Sequence, residues 1–394
     1  MTDTAPARWG HLALLAVAMV GAMAPWLAGS AAAPILAADF ALTPGEVGWL
    51  TSGTQLGFVA GTMAIAMLNL ADLVSGRVLF AISALLVAAA QASLLAATSF
   101  PTLLLSRLLT GVMLAGVYPP AMKMAATWFV RGRGLAIGTV VGALTFGKAL
   151  PYLLHGLGGL SLTTLVMVPA ASAVLGGLAV ALLWADGPHA FPARRFSWGL
   201  VGDVVRAPGL RHVTGGYLGH MWELYAFWAW VPGFVAAAWA AQGAPDVHAD
   251  RIAFAVVAAG TLGCIGGGAL ADRVGRRRIA RTAMQVSGTL ALLSPLLFRA
   301  PTPVLLAALL VWGVAVIADS AQFSALATEH APPHAVGTAL ALQTSLGFLL
   351  TIASIQLVPS VAAVAGWQWA LWPLAVGPAL GIWSLGNPDQ KTHL

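Results

Sequence analysis

Twelve stretches of mostly apolar residues fill almost the whole chain, at about 11–37, 46–70, 78–98, 101–126, 134–157, 161–184, 210–238, 252–270, 279–298, 302–326, 335–358 and 366–386. A helix that crosses a bilayer needs about 20 such residues. Hydrophobic residues make up 59% of the chain and charged residues 8%. A soluble domain carries about 25% charged residues, so this chain has too few to clothe a core of its size in a polar surface. The first stretch follows Arg8 in the manner of a secretory signal. It is longer than the usual apolar run of about 7–15 residues and eleven more follow, so it reads as a retained helix. Most connections are short. The exception, Asp186 to Arg211, is polar and divides six spans from six. The expected fold is an all-α polytopic membrane protein: a six-helix bundle over 1–185, a central loop over 186–209, and a second bundle with a short tail over 210–394.

A duplicated phrase supports the division. Leu70-Ala71-Asp72-Leu73-Val74-Ser75-Gly76-Arg77 follows the second span, and Leu270-Ala271-Asp272-Arg273-Val274-Gly275-Arg276-Arg277-Arg278 follows the eighth. The two aspartates are 200 positions apart, about half the chain. Lys and Arg placement sets orientation. With the N-terminus inside, the inner loops hold Arg77, Arg131, Arg133, Arg194, Arg195, Arg206, Arg211, Arg273, Arg276, Arg277, Arg278 and Arg281, with Lys391 in the tail. The outer loops hold only Arg251 and Arg299. Both termini and both Asp…Gly-Arg loops are therefore expected in the cytoplasm. The net charge of +6 reflects this topology and gives no sign of nucleic-acid binding.

Gly134, Gly138 and Gly142 form a small-residue ridge on the fifth span, followed by Gly147 and Pro151. Such a ridge serves close packing against a neighbouring helix, or flexing of the span. Two six-span halves joined by a polar loop resemble the major facilitator superfamily. The segment Gly268 to Arg278 is similar to that family's cytoplasmic G-x-L-A-D-R-x-G-R-R signature. The first copy departs from it: Leu68 replaces the leading glycine and Ser75 is an added residue. Arg107-Leu-Leu-Thr-Gly111 is similar to the family's fourth-span R-x-x-x-G motif. The resemblance implies a secondary transporter of the bacterial inner membrane that works by alternating access, as a monomer and without cofactor.

Ionisable groups inside spans usually face a protein interior or a wet cavity. Arg107, Lys148, His220, Glu223 and Asp319 are placed in that way. Lys148, Tyr152 and His155 share one helical face. His220, Glu223, Phe227 and Trp230 share another, and Asp319 pairs with Gln322 at i+3. These stripes predict a shared mid-membrane cavity. Arg107, Lys148, Tyr118, Tyr152 and Trp230 would bind a small organic or inorganic anion there, since an arginine fork suits a carboxylate or oxyanion. His220, Glu223 and Asp319 would carry a coupling proton. The same residues also admit structural roles, with Lys148 paired to Glu223 and Arg107 anchoring backbone carbonyls. Asp72, Arg77, Asp272 and Arg276 are read as a cytoplasmic gate, with the arginines pairing to acids across the seam between halves.

The partners this reading implies are a small solute, protons and the bilayer. Two alternatives stand beside it: proton-driven efflux of hydrophobic or cationic compounds, and a sensor or scaffold that transports nothing. The sequence contains no HExxH zinc site, GxSxG elbow or Gly-x-x-x-x-Gly-Lys-Ser/Thr loop, so no enzyme is expected. Cys264 stands alone, and the scattered Met, His and Cys residues predict no metal site. Asp72→Asn and Asp272→Asn are expected to slow transport more than they lower the amount of protein in the membrane. Unchanged transport kinetics in both variants would refute the gate.

Overall fold

In a bilayer every backbone polar group must find a partner within the protein, so the apolar stretches can only be helices. The computed structural model describes residues 7–130, 132–189, 196–243 and 248–386, apart from the side chains of Ala71, Asp72 and Asp272. Among them, nine helices are long and apolar enough to cross a membrane: Ala7–Trp26, Gly76–Ala96, Phe100–Ala126, Arg133–Gly156, Leu162–Leu183, Pro208–Ala241, Ala249–Ala271, Thr302–His330 and Pro333–Ala365. Pro44–Met67, Arg276–Leu297 and a broken column ending in Val376–Leu385 complete twelve. These columns are numbered α1 to α12 in chain order. Pro44–Met67 (α2) starts on a capping box in which Thr43 and Glu46 bond each other's backbone N–H, with Pro44 at the first helical position. Arg276–Leu297 (α9) carries four arginines near its start, which lowers its mean hydropathy.

Three other columns are interrupted where the sequence suggests single spans. α1 tightens into a 3₁₀ turn at Ala24–Trp26 before resuming through Ala33–Phe40. Pro25 causes the break, because it lacks an N–H and crowds the preceding turn. α4 divides between Phe100–Leu114 and Tyr118–Ala126, ahead of Pro119 and Pro120. α10 divides between Thr302–Ala318 and Ser320–His330, with Asp319 at the joint. α4 and α10 occupy equivalent places in the two halves.

The duplication recurs in the packing. A Cβ on Gly57 of α2 would collide with the carbonyl oxygen of Leu108 in α4, and one on Gly111 would collide with that of Thr54. In the second half, Gly263 of α8 lies as closely against Val314 O, and Gly313 of α10 against Val256 O. Gly21 against Ser172 in the first half has its counterpart in Gly219 against Gly377 in the second. Only hydrogen in place of a side chain lets these backbones touch.

The ridge on α5 seals the seam between halves. A Cβ on Gly138 would meet Cys264 O of α8 at 2.6 Å, and one on Gly268 would meet Gly134 O at the same distance. Thr261 Oγ1 donates to Gly142 O at 3.1 Å, and Arg251 Nε donates to Gly156 O at 2.6 Å. α5 and α8 are therefore in contact along most of their length. The ridge serves close packing here, the first of the two roles read for it.

Cys264 is buried on this seam, with Sγ 3.6 Å from Thr145 Oγ1. Gly138→Leu is expected to force the two helices apart and raise the rate at which N-ethylmaleimide labels this cysteine, while the bundles stay folded. Gly57→Leu, which clashes within one bundle, is expected to lower the yield of folded protein instead. Equal labelling of Gly138→Leu and the wild type would show that the seam tolerates the side chain.

Candidate functional site

The break in α1 turns the carbonyls of Pro25 and Trp26 toward α4, and Arg107 reaches them from there. Its Nη2 donates to Pro25 O at 3.0 Å and Trp26 O at 2.7 Å. Its Nε donates to Leu50 O at 3.1 Å, and its Nη1 to Gln91 Oε1 at 2.7 Å. The side chain is fully buried. Arg107 thus ties α1, α2, α3 and α4 together, and four of its five N–H donors are engaged by the protein.

Trp26, fixed beside this anchor, carries the site toward Lys148 of α5. The ammonium nitrogen lies 3.5 Å from the centroid of the Trp26 ring, 4.7 Å from that of Tyr225 and 5.8 Å from that of Trp228. Nζ also donates to the Tyr225 hydroxyl at 2.5 Å. A cation over aromatic faces is attracted by the ring quadrupoles, most strongly where water is excluded. Lys148 is 1% exposed. Among the described residues no carboxylate lies within 4 Å of it, so it does not pair with Glu223. Trp26 stacks near Tyr225, and Phe58 of α2 meets Phe348 of α11 with ring centroids 4.6 Å apart. Tyr118 stands at the edge of the group, 6.5 Å from Phe58. Tyr152, one turn beyond Lys148, donates to Trp228 O at 2.8 Å. The N–H groups of Trp26 and Trp228, the amide of Gln55 and the hydroxyl of Ser345 are buried without protein partners.

The acids lie deeper in the second half. Glu223 of α7 accepts from Ser287 Oγ of α9 and from Trp312 Nε1 of α10, both at 2.7 Å. Trp312 in turn stacks on Phe227 at 4.2 Å. His220 Nδ1 stands 2.8 Å from Asp319 Oδ1, and both side chains are almost wholly buried. Asp319 occupies the joint of α10, and His220 Nε2 has no protein partner. Trp230 lies apart from the cage: its Nε1 donates to Ile355 O at 2.8 Å, and it lines a cleft of about 610 Å³ between the halves. That cleft opens on the face away from the duplicated loops. Ser30, Thr51, His155, Asp250 and Trp367 also line it, and His155 Nδ1 stands 2.8 Å from Asp250 Oδ2 across the α5–α8 seam.

On the opposite face, Arg77 Nε donates to Ala181 O at 2.8 Å and so ties α3 to α6 within the first half. Arg276 pairs with Glu329, within the second. Both contacts are made inside a bundle. The side chains of Asp72 and Asp272 lie outside the described residues, as do Arg131, Arg194, Arg195 and Lys391.

The lysine cage depends on Trp26, Tyr225, Phe58 and Phe348, which helical spacing did not single out. Tyr225 is two residues from Glu223 and therefore on another face of α7, off the stripe that begins at His220. A usable signal was its rarity, since the chain has four tyrosines. Trp26 entered the site only because α1 breaks beside it. Gln91, which completes the Arg107 anchor, is an isolated polar residue in an apolar span.

Two six-column bundles meeting at buried polar groups define a multi-pass membrane transporter rather than an enzyme. The sequence model of the Major Facilitator Superfamily matches residues 14–353, and the chain belongs to that family. Solved structures share the fold. The human organic anion transporter MFSD10 (TETRAN) aligns with TM-score 0.68 and 14% identity over 97% of this chain and 100% of its own. A bacterial homologue of the human lysosomal transporter Spinster, in an inward-facing unoccupied conformation, gives 0.66 and 15% over 97% and 95%. A point mutant of the nucleoside transporter NupG gives 0.70 and 15% over 96% and 98%. No curated protein matched the chain in sequence.

Arg107→Met is expected to destabilise the first bundle by about 3 kcal/mol or more, since each buried acceptor left unsatisfied costs about 1–3 kcal/mol. A lowered melting temperature of the detergent-purified protein checks this. Full stability with lost transport would assign Arg107 to the solute instead.

Proposed function

We propose that the chain moves a small anion across the bacterial inner membrane by alternating access, with Lys148 as its charge partner. The observation that carries the reading is a buried lysine at the seam between halves with no carboxylate within 4 Å among the described residues. A buried charge without a counter-charge is costly, and an arriving anion relieves that cost. Tyr118 and Tyr152 flank the same region, and Trp230 lines the cleft through which a solute would approach. The bundles 1–185 and 210–394 rock about the cage, so that the cleft closes as the opposite face opens.

The proposed coupling ion is the proton. Glu223 and the His220–Asp319 pair are buried groups that can take up and release one, and Asp319 sits at the joint of α10, where a change of charge bears on the helix. Arg77 and Arg276 each brace their own bundle at the face that the arginine bias assigns to the cytoplasm, where both termini lie. The protein works as a monomer. Efflux of organic cations fits the cage less well, because the aromatic faces that would hold a cation already hold the Lys148 ammonium.

Lys148→Met tests this reading. It removes a desolvated charge, so the melting temperature is expected to stay level or rise, while anion uptake into proteoliposomes falls at least about tenfold, the loss of a single charge-assisted contact. Lys148→Arg keeps the charge and is expected to retain part of the uptake. Wild-type uptake by Lys148→Met would end the proposal.

A further inference from the structure

Resting on the anion reading above, the geometry points to a narrower ligand class. We propose that the indole N–H groups of Trp26 and Trp228 join Lys148 in holding the carboxylate of an organic monoanion with an apolar body. Both rings stand around the Lys148 ammonium, at 3.5 and 5.8 Å. Both are fully buried, and neither N–H has a protein acceptor. An indole nitrogen can only donate. Two buried donors beside an ammonium form a set that a carboxylate satisfies, since its two oxygens accept several hydrogen bonds and its charge opposes that of the lysine.

The number of charges sets the valence. Arg107, the other cation at this depth, spends four donors on Pro25, Trp26, Leu50 and Gln91. Lys148 is thus the one cation that faces the aromatic group among the described residues. A second negative charge, as on sulfate, hydrogen phosphate or a dicarboxylate, would find no partner and would bear its desolvation unaided. The walls decide the remainder of the ligand. Phe58, Phe348 and the Tyr225 ring pack around Trp26 with centroid separations of 4.9, 5.7 and 5.8 Å. Such walls reward an apolar body by excluding water from it, and offer little to a small hydrated ion such as nitrate.

Calorimetric titration of the purified full-length protein tests the proposal. Benzoate and hexanoate are expected to bind at least about tenfold more tightly than nitrate, sulfate and succinate. Trp26→Phe and Trp228→Phe keep a ring and remove the N–H. Each is expected to weaken benzoate binding by about ten- to hundredfold, the usual worth of a hydrogen bond to a charged group. With ¹⁵N-labelled tryptophan, benzoate should shift two of the 15 indole resonances, a readout that needs no variant. Equal or tighter binding of nitrate, sulfate or succinate overturns the ligand class, and unmoved indole resonances with bound benzoate overturn the role of the tryptophans. Both results leave the anion reading standing. If Lys148→Met binds every anion as the wild type does, the anion reading falls and this inference falls with it.

Discussion

The fork of Arg107 is the contact on which the first bundle depends. α1 is broken at Pro25, and the carbonyls of Pro25 and Trp26 at that break take donors from a side chain. The guanidinium supplies those donors while also bonding Leu50 and Gln91. One side chain on α4 thereby fixes three neighbouring columns and the kink of α1. The kink in turn sets Trp26 over the Lys148 ammonium. The chain of dependence runs from a proline through an arginine to the charged centre, and every link is a backbone group or ring that must be satisfied in a dry interior.

Around that centre, the two halves meet by different means at different depths. Small residues bring α5 and α8 into backbone contact along the seam, through Gly138 against Cys264 and Gly268 against Gly134. Beside Lys148 the contact is aromatic, with Trp26 and Phe58 of the first half against Tyr225 and Phe348 of the second. Toward the face away from the duplicated loops the halves part around a cleft of about 610 Å³. Side chains cross the seam as well: Lys148 bonds Tyr225, Tyr152 bonds Trp228 O, and Arg251 bonds Gly156 O. Within each bundle the glycine contacts recur in matched pairs, Gly57 and Gly111 in the first and Gly263 and Gly313 in the second. That repetition gives the two bundles the same internal packing.

Much of this is legible in the sequence. The twelve spans are legible as apolar stretches, nine of which form helices long and apolar enough to cross a membrane, and the small-residue ridge on α5 marks a close helix contact. The ionisable residues inside spans face the interior: Arg107, Lys148, His220, Glu223 and Asp319 are all buried. Their partners are not legible. Arg107 and Lys148 read alike as interior cations, yet one meets backbone carbonyls and the other meets rings. Glu223, a natural counter-ion for Lys148 on charge alone, meets Ser287 and Trp312 instead. Helical spacing orders residues on one helix and carries no information about which helix lies opposite.

The sequence by itself determined the membrane-spanning class, the two-half repeat and the list of buried charges, because each of these follows from local composition and period. Tertiary structure alone decided which cation is already spent, which donors remain unpartnered and where the halves part. Those outcomes depend on the turn at Pro25, on the rotation of α7 that presents Tyr225 at the seam, and on contacts between residues such as Lys148 and Trp26 that are far apart in the chain. No pattern along one stretch of sequence encodes such a contact, since it exists only once two helices have been brought to a particular distance and angle.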